Sequence, residues 1–357
     1  ARARGNLRVH VKPGVYYFAG SIPLHGYTAL DGEAGKTAFV VKPNYTDLYG
    51  KECSEYGFFT IADTNERYSW YFSSVSDLTI VVEGTHPSFK PTSTYDEIYA
   101  NILSDDIQAT DKYSLFYHVR IGYGGIYNNA AAGFYTYFRS SFVDMLTKVQ
   151  NNTFGPCRDA IYGCDTNDAM FANNIFYGGY FTDEEGLQRM PTFMTTFNTG
   201  TTTFTNSYIS NFHLARTGAG CWAPHASYSN VTFEKVLNIC VDTTAKANIA
   251  MSGCHLLNCT RTDVERYFES LGYVEHDPHW ENGKWTTDGN GYMIFQSLTK
   301  YNKRNDYEKE QEAYMFHAGS MSISQCLIEC DSLENTILFH MDDSEWESKY
   351  ANQRKAS

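Results

Sequence analysis

Val149-Gln150-Asn151-Asn152-Thr153-Phe154 and Phe171-Ala172-Asn173-Asn174-Ile175-Phe176 are one structural unit written twice. Laid over each other they put apolar on apolar, Asn pair on Asn pair and Phe on Phe, at an offset of 22 residues. Between the copies lie the apolar run Asp159-Ala160-Ile161-Tyr162-Gly163 and the segment Asp165-Thr166-Asn167-Asp168, which reads as a polar turn. A period in the low twenties, made of short strands and Asn/Asp/Gly turns, predicts a solenoid with one coil per repeat.

Working outward, the unit recurs at Phe204-Thr205-Asn206-Ser207-Tyr208-Ile209, at Tyr228-Ser229-Asn230-Val231-Thr232-Phe233, at Met251-Ser252-Gly253-Cys254-His255-Leu256 and at Ile323-Ser324-Gln325-Cys326. The long step from Phe171 to Phe204 predicts an inserted loop, placed at Thr182 to Thr192. The longer step from Met251 to Ile323 predicts an insertion over 262–319, opening on a short helix from Asp263 to Leu271 with Thr262 as its N-cap. Residues 42–74 and 84–113 read as loop excursions from the solenoid, and the whole chain as one domain. Asn151, Asn152, Asn173, Asn174, Asn206 and Asn230 recur at turns, where stacked side-chain amides form hydrogen-bonded ladders.

The composition agrees. Charged residues make up 19% and aromatics 16%, with 28 Tyr and 23 Phe, which suits stacked β structure better than a helical bundle. A net charge of −13, without a basic stripe, excludes binding to a nucleic-acid backbone. The same charge repels a polyanion at long range, so an acidic polysaccharide requires a local basic groove. No apolar run reaches the length of a membrane span. The chain opens on Ala1-Arg2-Ala3-Arg4 and passes directly into strand-like sequence, the expectation being a processed or truncated start. The nine cysteines show no CxxC or zinc-finger spacing. Aligned repeats place Cys254 opposite Cys326 and Cys259 within one position of Cys330, and interior free thiols are expected.

The stretch Val9-His10-Val11-Lys12-Pro13-Gly14-Val15-Tyr16-Tyr17, followed by Ser21-Ile22-Pro23-Leu24 and Tyr27-Thr28-Ala29-Leu30-Asp31-Gly32-Glu33, resembles the first coil of the pectate-lyase-like right-handed parallel β-helix proteins. With the repeats, the resemblance covers residues 7–41 and about 140–340. It implies an all-β, single-stranded right-handed parallel β-helix with long loop insertions, and a carbohydrate-directed activity outside the cell or on a virion surface. The calcium site of clustered Asp found in the family's lyases has no residue-by-residue match here, so no metal ligands are assigned; calcium is the cofactor a lyase of this kind would take. The Asn-Thr-Asp, Asp-Asp and Gly-His-Gly set of the polygalacturonase-like hydrolases is also missing.

A β-helix offers flat faces with side chains in rows and loops that wall a groove, which suits an extended polymer. Cleaving a glycosidic bond by hydrolysis takes two carboxyl groups, and the candidates are Asp159 with Asp183, Glu184 and Glu185 on the inserted loop. Asp165 and Asp168 read as turn residues bonding their own backbone. A lyase instead needs a base beside a carboxylate and a cation to neutralise it; Arg216 is the catalytic candidate, with Arg158 and Lys235 nearby. Arg189, His213, Trp222, His225, Trp280 and Trp285 are the candidates for holding substrate, the tryptophans as platforms for sugar rings. His276 and His279 lack the partners a metal site requires. The leading expectation is an extracellular hydrolase or lyase acting on a polysaccharide between loops at 182–192, 213–225 and 276–285. Two rival expectations are a phage tailspike, which implies a homotrimer, and a non-catalytic β-helix adhesin.

Overall fold

The computed structural model describes residues 7–24, 26–45, 56–61, 70–117, 120–139, 142–144, 146–182, 188–199, 201–212, 217–218, 225–237, 239–242, 248–271, 274–275, 279–281, 284–286, 291–293, 313–317, 320–332 and 336–340. Its strands fall into three long parallel sheets that the chain visits in strict rotation, returning each time beside the strand it laid down one coil before. The first sheet runs from Leu7–His10 to Ser320–Ser324, the second from Gly14–Phe18 to Leu327–Glu329, and the third from Ile22–Leu24 to Thr336–His340. This is a parallel β-helix, the layout that the resemblance implies. No helix among the described residues is long and apolar enough to cross a membrane.

The register follows the repeat read from the sequence. Val149 pairs with Phe171 and Phe154 with Phe176; Phe171, Phe204, Tyr228, Met251 and Ile323 then succeed one another in the first sheet. The interior therefore holds stacks of like side chains. Phe154 and Phe176 lie 4.8 Å apart, Phe171 and Phe204 4.7 Å, and Phe204 and Tyr228 5.3 Å between ring centroids. These distances are the spacing of neighbouring strands, about 4.8 Å, so parallel coils impose the stacking geometry.

The two residues of each Asn pair do different work. The first, at Asn151 and Asn173, sits in the left-handed region with φ of 58° and 55°, as do Asn206 at 48° and Asn230 at 53° at the same place in later coils, a conformation that Asn tolerates better than most residues. These exposed amides form an outer ladder, Asn173 donating to Asn151 at 3.1 Å and Asn151 to Asn128 at 3.2 Å. The second residue is buried and forms an inner ladder: Asn129 donates to Asn152 at 3.1 Å, and Asn152 to Asn174 at 3.0 Å. Each inner side-chain oxygen also accepts a backbone N–H from the coil before, so polar groups inside the turn are satisfied coil by coil.

Several expectations need correction. Asp165 is not a turn residue: Asp159–Asn167 is one strand, and Asp165 pairs with Phe142. Asp168 does occupy the turn, at φ 56°. The helix in the insertion spans Arg261–Ser270 and is capped by Thr260, whose side chain accepts from the Asp263 N–H, rather than by Thr262. The excursion at 42–74 contains the strands Tyr56–Ile61 and Trp70–Tyr71. The one at 84–113 contains a helix, Tyr95–Tyr99, started by a capping box between Thr94 and Glu97. Its Ile98, Ile102 and Ile107 cover Ala38, Val81 and Ala130 on the outer side of the second sheet. Gly155 lets this excursion approach, since a Cβ there would lie 1.9 Å from the Ile102 carbonyl oxygen.

The two later excursions meet. Phe181–Thr182 runs antiparallel to Gln188–Arg189, which pairs with Gly291–Met293, which pairs in turn with Val274–Glu275. Met190 packs with Leu237 and with Val264 and Phe268 of the helix Arg261–Ser270. The loop that follows the Asp159 coil is thus seated on the 262–319 insertion.

Candidate functional site

The third sheet breaks the alternation of an ordinary strand. Phe58 and Phe59, Leu115 and Phe116, Tyr137 and Phe138, Ala160 and Ile161, and Phe193 and Met194 are consecutive residues that both enter the core. Two inward residues in a row are the mark of a bulge, here repeated in these five successive coils so that the strands stay aligned. The residues on either side form two register rows. One is Ser114, Thr136, Asp159 and Thr192; the other is Tyr117, Arg139, Tyr162 and Thr195.

Asp159 is the carboxyl group of the first row, and it is only partly exposed. The Thr192 and Tyr135 hydroxyls and the Arg139 and Arg158 guanidinium groups lie close enough to favour its ionised form. Burial outweighs these partners and pushes its pKa up to about 7, against the usual carboxylate value near 3.8. Arg139 stacks between two rings, 5.2 Å from the Tyr135 centroid and 4.2 Å from that of Tyr162. It is 8% exposed, and two ring faces favour a guanidinium held so far from water. Arg158 reaches Asp111 in an ion pair and packs 4.9 Å from the Phe181 ring, where the inserted loop leaves the coil. Burial first, and the Asp159 charge second, raise the Tyr135 phenol above the ordinary tyrosine range, so it stays protonated at neutral pH.

The group can therefore exchange a proton near neutrality at Asp159, donate one from Tyr135, and meet an anion at the arginines. A carboxyl with a raised pKa in a charged, half-covered position is the usual signature of a proton-transfer group.

Of the residues singled out in the sequence, Asp159 and Arg158 come together here, and Arg189 lies on the strand Gln188–Arg189 of the loop that rises beside them. His225 opens a strand of the first sheet, in register with Thr201 and Asn248, and so belongs to a different sheet from Asp159. Trp280 and Trp285 are direct partners across a two-stranded antiparallel pairing. Lys235 is ion-paired with Glu234 and sits 5.5 Å from the Tyr267 ring, away from Asp159. Asp183, Glu184, Glu185, His213, Arg216, Trp222 and His276 lie outside the described residues. No cluster of three or more metal-ligating side chains occurs among the described residues. Tyr135, Arg139, Tyr162 and Thr192 were missed in the sequence. The signal was present in the alignment of Tyr135-Thr136-Tyr137-Phe138-Arg139 on Arg158-Asp159-Ala160-Ile161-Tyr162, which stacks polar and aromatic residues around the same apolar pair.

No family model matches the chain, and no curated protein does either. Among solved structures it is similar to a pectin methylesterase in complex with hexasaccharide VII, at 12% identity over 72% of this chain and 82% of that one, with a TM-score of 0.30. It is also similar to the A-module of the Azotobacter vinelandii mannuronan C-5 epimerase AlgE6, at 11% identity over 93% of each chain, with a TM-score of 0.30.

Proposed function

We propose that this protein is an extracellular or virion-surface enzyme that cleaves an acidic polysaccharide by elimination, with Asp159 as the proton-transferring group. The observation that carries the reading is one partly buried carboxyl, with its pKa near 7, set among two arginines and a tyrosine. Hydrolysis uses two carboxyl groups on either side of the scissile bond; Asp159 stands with two cations, and Asp111, a second carboxylate nearby, is held in an ion pair with Arg158, which favours elimination. The preference for a polymer follows from the fold, whose coils repeat along a straight face.

In this reading Arg158 meets the carboxylate of a uronate sugar, and Arg139, deeper in the site, adds positive potential. The pair offsets locally the repulsion that the acidic chain exerts on a polyanion. Asp159, ionised, takes the proton on the carbon next to the sugar carboxylate. The electrons of that C–H bond form a carbon–carbon double bond as the glycosidic C–O bond breaks. Tyr135 donates its proton to the leaving oxygen and recovers one from Asp159 beside it.

A panel of acidic and neutral polysaccharides tests this, read by both new reducing ends and the ultraviolet absorbance of an unsaturated product. Elimination raises both signals on an acidic glycan, and Asp159→Asn removes them. Reducing ends without unsaturation would replace elimination by hydrolysis. No signal on any glycan that the protein binds would leave a binding protein in its place.

A further inference from the structure

The inner Asn ladder does not end where its asparagines do. The backbone N–H after each ladder residue donates to the carbonyl of the ladder residue one coil before: Thr153 to Asn129, Ile175 to Asn152, Tyr208 to Asn174, Thr232 to Ser207, His255 to Val231 and Leu327 to Cys254, all at 2.8–3.0 Å. The column therefore reads Asn129, Asn152, Asn174, Ser207, Val231, Cys254, Cys326. Its last two members are thiols at equivalent positions in successive coils. Pairings on both sides fix this placement, Ser252 with Ser324 and His255 with Leu327. Neighbouring coils run about 4.8 Å apart, inside the roughly 4.4–6.8 Å between Cα atoms that a disulfide spans. Cys259 and Cys330, similarly aligned by sequence, lack this relation: Asn258 is the residue whose N–H meets the Glu329 carbonyl, which puts Cys330 beside Asn258 and moves Cys259 one place on.

We propose that Cys254 and Cys326 are a disulfide-forming pair that clasps the neck of the 262–319 insertion. Cys254 lies just before the chain leaves the solenoid and Cys326 just after it returns, so the bond encloses the helix Arg261–Ser270 and the strands that seat the loop beside Asp159. It also ties down the coil of Leu327–Glu329, a strand exposed along its length. The oxidant is a small-molecule disulfide. Cys326, the more accessible thiol, attacks it as thiolate, forms a mixed disulfide and releases one small thiol. The Cys254 thiolate, 1% exposed in the resting fold, then displaces the second small thiol from Cys326. Two protein thiols are oxidised, one small disulfide is reduced to two thiols, and no other electron acceptor is needed. The pair is independent of the reaction proposed at Asp159.

The test uses the full chain, incubated with oxidised glutathione, blocked with an alkylating agent, digested without reductant and mapped by mass spectrometry. The expected product is a peptide linking Cys254 to Cys326. With it the melting temperature rises by several degrees over the reduced protein, because a long loop is closed in the unfolded chain. Cys326→Ser abolishes both effects and Cys259→Ser keeps them. A link from Cys326 to Cys330, glutathione left on Cys326 alone, or no oxidation of either thiol would overturn the pairing. A Cys254–Cys326 link without a change in melting temperature would overturn the clasp.

Discussion

Asp159 lies in register with Thr192 of the next coil, whose hydroxyl favours the ionised carboxylate, while burial, the stronger effect, raises its proton affinity. The pairing joins the coil read as a repeat to the far end of the inserted loop, and burial makes Asp159 a group that the fold prefers neutral.

The first prediction concerns stability. Since the folded-state pKa of Asp159, about 7, lies above its unfolded value near 3.8, the folded chain holds the proton more tightly. This contribution is full below the unfolded pKa and is lost as pH rises to the folded one. Asp159→Asn, which keeps the shape and removes the titration, should be more stable than the parent at pH 8 by a few kcal/mol at most, and close to it at pH 4. Denaturant melts at the two pH values measure the difference; equal shifts at both would contradict it.

Arg158 and Tyr135 should separate in kinetics. Arg158→Ala removes the cation that meets the sugar carboxylate, and kcat/KM on an acidic glycan should fall roughly 10- to 100-fold, mostly through KM. Tyr135→Phe removes the proton donor and should lower kcat by a factor on the order of 10²–10⁴ with KM little changed. If both substitutions act on KM alone, the assigned roles are wrong.

The two Asn ladders should respond differently. Asn152→Ala strands buried partners: the Asn129 amide that donates at 3.1 Å and the Ile126 carbonyl that accepts at 3.0 Å. The cost should be about 2–4 kcal/mol. Asn151→Gly, next door at φ 58°, should cost less than about 1 kcal/mol, because glycine adopts that conformation freely. Equilibrium unfolding of the two variants gives the comparison directly.

At the other end of the solenoid, Arg8 holds the Asp31 carboxylate through two hydrogen bonds, of 2.7 and 2.9 Å, and His10 adds one at 2.6 Å. The Arg8 bond leads the causes that lower the Asp31 pKa to about 2. A depressed carboxylate pKa contributes stability above the unfolded value, and that stability disappears as pH falls from about 4 to about 2. Asp31→Asn should therefore cost roughly 1–2 kcal/mol at pH 7 and little at pH 2. Hydrogen exchange in the strands Leu7–His10 and Thr28–Asp31 locates the loss.

The scaffold was legible in the sequence because a coil is a local object: Val149 to Phe154 and Phe171 to Phe176 each write one corner of it, and the eye needs only their offset. The doubled apolar residues of the third sheet were less visible. Ala160-Ile161 looks like part of any strand until Tyr137-Phe138 is stacked beneath it. The site depends on that stacking, since Arg139 and Tyr135 come from one coil, Asp159 from the next and Thr192 from beyond an insertion. The helix of the insertion starts two residues before its expected place, since Thr260 and Thr262 are equally good caps by composition and the chain uses Thr260.

Proton exchange by Asp159 in the reaction is read from the pH dependence of kcat/KM on an acidic polysaccharide. Activity should rise with pH as a single ionisation near 7 and fall to background in Asp159→Asn at every pH. An Asp159→Asn variant that keeps the parent's rate and the parent's pH profile would contradict it.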